Sequence, residues 1–497
     1  MVIVMILIPF SGFVAFGLDV GSKWEKMLSF QYEGNYDPDT EFIPGNYSRM
    51  SEMAEVYDDL YQQHHLPLNY CTNVIYTDEN ATEVAYYDFT DNGALWTGIG
   101  MAAWVFHYLT AKEEGNQAEI QYCLEVIQRM IHGFSMMMKV PNGGLGPEFS
   151  GILARGWAGP QHKDIAPMFF SENIRHFNGT GKYSQWRWRG FTSNDEYGGF
   201  YMGLALALKY VDNDWVQDTS GKIVLQLANY MLETNFLGIS GPGGPSGVNQ
   251  KPTFGNGGFW IPLLLKMASM VKPEKYTQHY NHWVSAELCF LSNSEGHDGE
   301  TVANYYAYNF GHCVVLAFLL LEGTESEIGQ RYYEGYLNSL RKFTSNHRNA
   351  WFNAIFLMIS DADDGEYDII QRDIEDQLMR LDINHFPDRR YGIVPVDPSE
   401  EVVTDIQEVN KSIHEDNWDG LYSMPFIEMD FDETYFVRAQ TVEHHKTGNF
   451  MWEDNPFENE TSGYYPRKEY PGTTFTVPYW MMRYMGLIPA QGIREVL

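Results

Sequence analysis

Two stretches decide the fold: DNGALWTGIGMAAWVF at 91–106 and WRWRGFTSNDEYGGFYMGLALA at 186–207. In each stretch, polar and acidic residues precede an apolar run that is too long for a strand. Small and apolar residues on every side are typical of a helix that is buried all round. The glycines of GIGMAA at 98–103 follow no predicted strand, so they predict close helix packing rather than a dinucleotide site.

The same pattern recurs along the chain. Long amphipathic runs separated by Gly-rich breaks extend from Glu52 to about Arg380. The predicted helix pairs are 91–112 with 116–140, 195–211 with 220–237, 257–271 with 274–291, 300–321 with 325–343, and 349–359 with 367–381. Pairs that bury one face only by stacking predict a solenoid or a closed toroid. An all-α (α/α)6 barrel explains why the first helices are apolar and the second helices amphipathic.

These residues resemble the six-hairpin glycosidase-type (α/α)6 toroid superfamily of glycoside hydrolases, unsaturated-uronide hydrolases and polysaccharide lyases. Residues 91–106 resemble its first inner helix, 186–207 a second one, and YPGTTFTVPYWMMRYMGLI at 470–488 a final inner segment. The resemblance covers roughly 50–385 plus this tail, and it is architectural, with no single family matched. It implies a carbohydrate substrate.

The chain is expected to divide into four parts: a signal peptide at 1–17, an N-terminal extension at 18–50, the toroid at 51–385, and 386–497. The last part combines a long, irregular acidic excursion with a C-terminal segment that packs back on the toroid. Residues 1–18 carry no charged side chain, which favours a cleaved secretory leader; an N-terminal membrane anchor is the alternative. N-x-S/T sequons fit a secreted glycoprotein and stand at Asn46, Asn80, Asn178, Asn410 and Asn459.

Composition limits the partners. With 66 acidic and 33 basic residues the formal net charge is −33, so phosphate backbones are repelled and nucleic acid is not expected. Stable membrane insertion is not expected either. No C-x-x-C, Walker A or H-E-x-x-H motif is present, and we predict neither a metal nor a cofactor. Two disulfides or buried free thiols remain open for Cys71, Cys123, Cys289 and Cys313.

The candidate catalytic residues are acids at the starts of inner helices. Glycoside hydrolysis needs two carboxyl groups beside the scissile bond. Asp91 and Asp195 begin different inner helices, and a toroid would bring both to one mouth, so they form the predicted acid/base pair, with Glu196 as the substitute. The alternative is that such carboxylates only complement the helix macrodipole.

Sugar binding calls for aromatic faces and polar side chains. Arg155 and Arg189 are predicted to hold a carboxylate or sulfate of the substrate. The other predicted substrate-binding residues are Trp96, Trp186, Trp188, Tyr197, Trp260, Tyr305 and His347. The WRWR segment at 186–189 is expected to be a loop just before an inner helix, where clustering of tryptophan with arginine favours binding. For the tryptophans, core packing is the alternative.

Hydrolysis of a poly- or oligosaccharide, with a uronate-containing chain as one option, is the first hypothesis. Elimination from a uronide is the second, with Tyr197, Tyr305, Tyr306 or His347 as the base. A non-catalytic glycan-binding protein is the third. If TGNFMWEDNPFE at 447–458 folds over the mouth, Trp452 and Glu453 join the site.

Overall fold

The computed structural model describes residues 36–89, 91–239, 241, 246–251, 258–285, 305–360, 364–384, 389–391, 438–445, 449–457 and 464–494. The predicted signal peptide, Cys289, the sequons at Asn410 and Asn459 and most of the acidic excursion lie outside the described residues.

Most of the described chain is helical. The helices are α1 Pro38–Glu41, α2 Tyr47–His64, α3 Gly93–Glu113, α4 Gln117–Asn142, α5 Asn194–Tyr210, α6 Asp214–Glu233, α7 Trp260–Val271, α8 Pro273–Val284, α9 Tyr305–Glu322, α10 Glu327–Tyr336, α11 Lys342–Thr344, α12 Ala350–Ile359, α13 Asp364–Asn384 and α14 Thr473–Tyr484. A π-helical segment, Leu337–Arg341, joins α10 to α11.

Helices of two kinds alternate along the chain. Nearly every residue of α3, α5, α9, α12 and α14 is buried or half-buried. Helices α2, α4, α6 and α8, by contrast, keep an exposed face. The buried helices contact one another: α3 packs against α5 and α14, α9 packs against α5, α7 and α12, and α12 packs against α14. This arrangement forms the core of the described chain.

Helices α3 and α5 approach each other backbone to backbone. A Cβ atom on Gly98 would lie 1.9 Å from the carbonyl oxygen of Gly199, and one on Gly199 would lie 2.3 Å from the carbonyl oxygen of Leu95. Only glycine fits at such distances. The close packing predicted for the glycines of 98–103 is therefore confirmed.

Some helix ends differ from the prediction. The helix predicted at 220–237 starts earlier, at Asp214. The Asn213 side chain caps this helix by accepting a hydrogen bond from the Val216 amide. Helix α2 begins after a similar cap at Asn46, so it runs through the predicted boundary at 50/51.

Short strands supplement the helices: β1 Asn73–Tyr76, β2 Val84–Asp88, β3 Gly156–Ala158, β4 His176–Asn178, β5 Arg187–Arg189, β6 Leu237–Ile239, β7 Ser246–Asn249, β8 Arg389–Tyr391 and β9 Tyr464–Glu469. They form antiparallel sheets in the orders β2-β1-β9-β8, β3-β5-β4 and β6-β7. Pairing of β9 with β1 attaches the C-terminal region to the first part of the chain.

The WRWR segment was expected to be a loop, and this was wrong. Trp188 pairs with Trp157 of β3 on one side and with Phe177 of β4 on the other. The alternation of tryptophan and arginine is the period-two pattern of a strand with one buried face. The helical reading of the neighbouring residues obscured it.

No helix within the described ranges is long and apolar enough to cross a membrane. Cys71, Cys123 and Cys313 are buried free thiols.

Candidate active site

The starts of α3, α5 and α9 meet at one end of the core. Tyr306, in the first turn of α9, donates a hydrogen bond of 2.6 Å to Oδ2 of Asp195 at the start of α5. The Tyr306 hydroxyl also accepts a hydrogen bond of 3.1 Å from Nδ2 of Asn92, the residue that precedes α3. One phenol thus connects three helix starts.

Glu196 joins α5 to α3 directly. Its carboxylate is fully buried, and Oε2 accepts hydrogen bonds from the backbone amides of Ala94 at 2.9 Å and Leu95 at 3.2 Å. Oε1 lies 3.2 Å from a guanidinium nitrogen of Arg155. Burial raises the pKa of Glu196 to about 8, although Arg155 and the two amides oppose that increase. The close contact between Gly98 and Gly199 brings α5 near enough to α3 for Glu196 to reach these amides.

Asp195 is half-buried and accepts hydrogen bonds from two hydroxyls. Ser193 donates to Oδ1 and Tyr306 to Oδ2. A carboxylate that accepts from donors on both oxygens is held in one orientation.

Glu453 reaches the same place from the far end of the sequence. It ends a short 3-10 turn, Met451–Glu453, that packs on α9. Among the described residues its buried Oε2 has no hydrogen-bond partner. Burial raises the pKa of Glu453 well above its ordinary value, and the charges of Asp454 and Asp195 raise it further.

The turn that carries Glu453 is anchored on three other buried helices. The Asn349 side chain donates a 2.8 Å hydrogen bond to the Trp452 carbonyl, and the Trp452 indole donates one of 2.7 Å to the Thr474 carbonyl. Phe450 packs against Trp96 of α3 at 6.0 Å and Trp351 of α12 at 6.4 Å between ring centroids. These contacts fix the turn that carries Glu453.

Asp91 is in a different environment. About half of its side chain is exposed, and it forms ion pairs with Arg189 and, at 3.4 Å, with Arg175. Arg155 donates to the backbone oxygens of Asp91 at 2.9 Å and of Phe191 at 2.8 Å. Arg155 and Arg189 are therefore engaged with groups of the protein itself.

The other predicted substrate-binding residues fall into two groups. Tyr305 and His347 lie beneath the Glu453 turn, where His347 packs against Phe457 and its Nδ1 is 3.2 Å from the Tyr305 hydroxyl. The remaining ones are packing residues: Trp96 packs on Phe450, Trp186 packs on Trp157, Trp188 is buried in the three-stranded sheet, and Tyr197 and Trp260 are buried among the helices.

Several residues of this cluster were missed by sequence reasoning. Asn92 lies inside the helix predicted at 91–112, Ser193 lies two residues before the helix predicted at 195–211, and neither they nor Arg175 were predicted as site residues. Phe191 is 39% exposed beside Arg155 and has a backbone φ of 60°. A bulky residue in that conformation is uncommon and worth noting at a functional site.

Comparisons with known proteins give little further identification. No family model matches the chain, and no curated protein matches it. A solved structure, that of the cellulase Cel9M of C. cellulolyticium in complex with cellobiose, matches with a TM-score of 0.39 and 11% sequence identity. The match covers 89% of this chain and 98% of that chain. At these values the likeness assigns neither a family nor an activity, and the residues of the site carry the argument.

Proposed function

We propose that the protein is a secreted glycoside hydrolase, built on an (α/α)6 barrel, that cleaves a poly- or oligosaccharide with a pair of carboxyl groups. The mutual contacts of α3, α5, α9, α12 and α14 support the barrel. The apolar leader at 1–17 and the sequons support secretion.

The observation that supports hydrolysis best is the contrast between Asp195 and Glu453. Asp195 accepts hydrogen bonds from two hydroxyls, while the pKa of Glu453 is raised well above its ordinary value by burial. A buried carboxyl group with a raised pKa is suited to donate a proton, and a carboxylate that two donors hold in place is suited to act as the base or nucleophile. In the proposed reaction Glu453 protonates the glycosidic oxygen, and Asp195 activates water or attacks the anomeric carbon.

This assignment keeps Asp195 and moves the acid role from Asp91 to Glu453. Asp91 is half-exposed and forms ion pairs with two arginines, whereas the free carboxylate oxygen of Glu453 is buried. Glu196 is committed to the α3 amides and to Arg155, and we assign it a positioning role. Arg155 and Arg189 are engaged with groups of the protein itself. We therefore assign them no role in binding a sugar carboxylate.

Elimination is the weaker alternative. Burial raises the pKa of Tyr197, Tyr305 and Tyr306 above that of free tyrosine, so a phenolate base is scarce. Burial lowers the pKa of His347 to about 3, which makes it a weak base.

The test begins with a panel of α- and β-linked oligosaccharides and a measurement of released reducing ends. On the best substrate, Asp195→Asn and Glu453→Gln should each lower kcat by about 10²- to 10⁴-fold. An aryl glycoside of the same sugar with a dinitrophenolate leaving group needs no acid. On this aryl glycoside the kcat of Glu453→Gln should return towards the wild-type value, whereas the kcat of Asp195→Asn should stay low.

Glu148→Gln is the matched control, because Glu148 is an exposed loop carboxylate, and it should leave kcat unchanged. Wild-type turnover in both Asp195→Asn and Glu453→Gln would refute the assignment. A product with a conjugated double bond, detected by ultraviolet absorbance, would establish elimination instead. Binding of a glycan without any bond cleavage would favour the non-catalytic alternative.

A further inference from the structure

A second cluster of reactive side chains lies at the opposite end of α3. His107 is 13 residues beyond Ala94, which at 1.5 Å per residue is about 20 Å along the helix. Facing it on α4 are Glu119 and Cys123, which are four residues apart and therefore share one face of that helix. Nothing in the carboxylate site uses these groups.

The three side chains converge on one point. A nitrogen of His107, a carboxylate oxygen of Glu119 and the sulfur of Cys123 all lie within 4.8 Å of one another. Nε2 of His107 is 2.9 Å from Oε1 of Glu119. Around a tetrahedral zinc ion such ligand atoms are about 3.3–3.6 Å apart, given the usual zinc–ligand bond lengths. Small rotations of the side chains would accommodate the ion.

The histidine ring is held by its surroundings. Trp480 stacks on it with ring centroids 3.5 Å apart and an interplanar angle of 8°. Nδ1 lies 3.3 Å from Oδ2 of Asp58, and that oxygen accepts a 3.0 Å hydrogen bond from the Trp480 indole. A carboxylate beside Nδ1 favours the tautomer with its proton there, which leaves the Nε2 lone pair free for a metal.

The cluster adjoins solvent. His107, Asp58, Glu119 and Trp480 line a pocket of about 360 Å³, so an ion and a water molecule have both access and room. Cys123 is fully buried.

We propose that His107, Glu119 and Cys123 bind a zinc ion, with a water molecule as the fourth ligand and Asp58 orienting the histidine. Imidazole, carboxylate and thiolate together suit zinc rather than calcium or magnesium. Binding replaces the thiol proton of Cys123, which passes to the solvent, and the sulfur binds as a thiolate. The spacing H-x₁₁-E-x₃-C differs from the C-x-x-C and H-E-x-x-H zinc motifs, so the sequence carries no recognisable metal signal here.

The test uses the full-length protein after treatment with a chelator. We expect one zinc ion per chain by elemental analysis after dialysis against zinc. With cobalt(II) we expect a thiolate-to-cobalt charge-transfer band and the visible bands of tetrahedral cobalt. Cys123→Ser should abolish the thiolate band, while Cys313→Ser, which removes another buried free thiol, should retain it. Asp58→Asn should weaken zinc binding by about 10- to 100-fold.

If Cys123→Ser does not fold, the Glu119→Gln variant tests zinc binding instead. Glu119 is partly exposed, so we expect this variant to fold. It should weaken zinc binding at least as much as Asp58→Asn. Absence of bound zinc in the wild type, a cobalt spectrum without the thiolate band, or unchanged affinity in Glu119→Gln would overturn the proposal. In that case His107 and Glu119 would share a proton in a hydrogen bond in place of the zinc ion.

Discussion

Glu196 shows how one buried side chain couples local chemistry to stability. Its pKa is about 8 in the folded protein against an ordinary value of 4.5. Between these values the folded protein retains a proton that the unfolded chain has lost. The contribution of Glu196 to stability is therefore full below about pH 4.5 and declines as the pH rises to about 8.

Comparison with Glu196→Gln, which cannot titrate, isolates this effect. The free energy of unfolding of the wild type, relative to Glu196→Gln, should fall by up to a few kcal/mol between about pH 4.5 and about pH 8. Urea denaturation at several pH values measures it. Parallel pH profiles for the two proteins would contradict the prediction.

At the scale of elements, the close approach of α3 and α5 is the critical contact. Gly98→Ala would place a methyl group 1.9 Å from the Gly199 carbonyl oxygen, and the two helices would have to separate. We expect a loss of about 1–3 kcal/mol or more in the free energy of unfolding, and a lower kcat, because the start of α3 moves relative to Asp195 and Glu196.

The control is Gly221→Ala in α6, where the new methyl group would meet only the two methyl groups of Val271, at 3.1 and 3.6 Å. Since alanine favours helix over glycine by about 1 kcal/mol, its stability should be unchanged or slightly higher. Thermal or urea unfolding of both variants checks the prediction. Equal stabilities would show that the contact tolerates a side chain.

Helices were the elements that the sequence predicted well. Apolar periodicity depends on neighbouring residues alone, so the runs at 91–112 and 116–140 correspond closely to α3 and α4. Strand β5 was missed because a three-residue strand offers too few positions for its alternation to stand out. The early start of α6 depends on a single capping residue, Asn213.

At the scale of the whole molecule, the turn at 449–457 ties separate helices together. Phe450 is fully buried between Trp96 and Trp351. Phe450→Ala should cost about 3–5 kcal/mol in the free energy of unfolding and reduce activity by releasing Glu453. Denaturant unfolding measures the loss, and Phe191→Ala, at an exposed ring, is the control for stability. A loss no larger than that of the control would show that the turn does not depend on this ring.

The candidate site was only partly predictable from the sequence, because one of its residues is positioned by tertiary contacts. Asp195 and Glu196 belong to a helix start that the pattern revealed. Glu453 lies about 250 residues later, in a turn with no periodicity, and its position depends on tertiary contacts to Asn349 and Thr474. Long-range pairing of this kind leaves no local signal.

Packing of α14 against α3 also has a consequence for biosynthesis. About 360 residues separate the end of α3 from the start of α14, and at 5–20 residues per second their synthesis takes roughly 20–70 s. Throughout that time the face of α3 that α14 will cover has no native neighbour. The nascent chain thus presents an apolar helix surface to chaperones, and to other nascent chains, until its final helix is made.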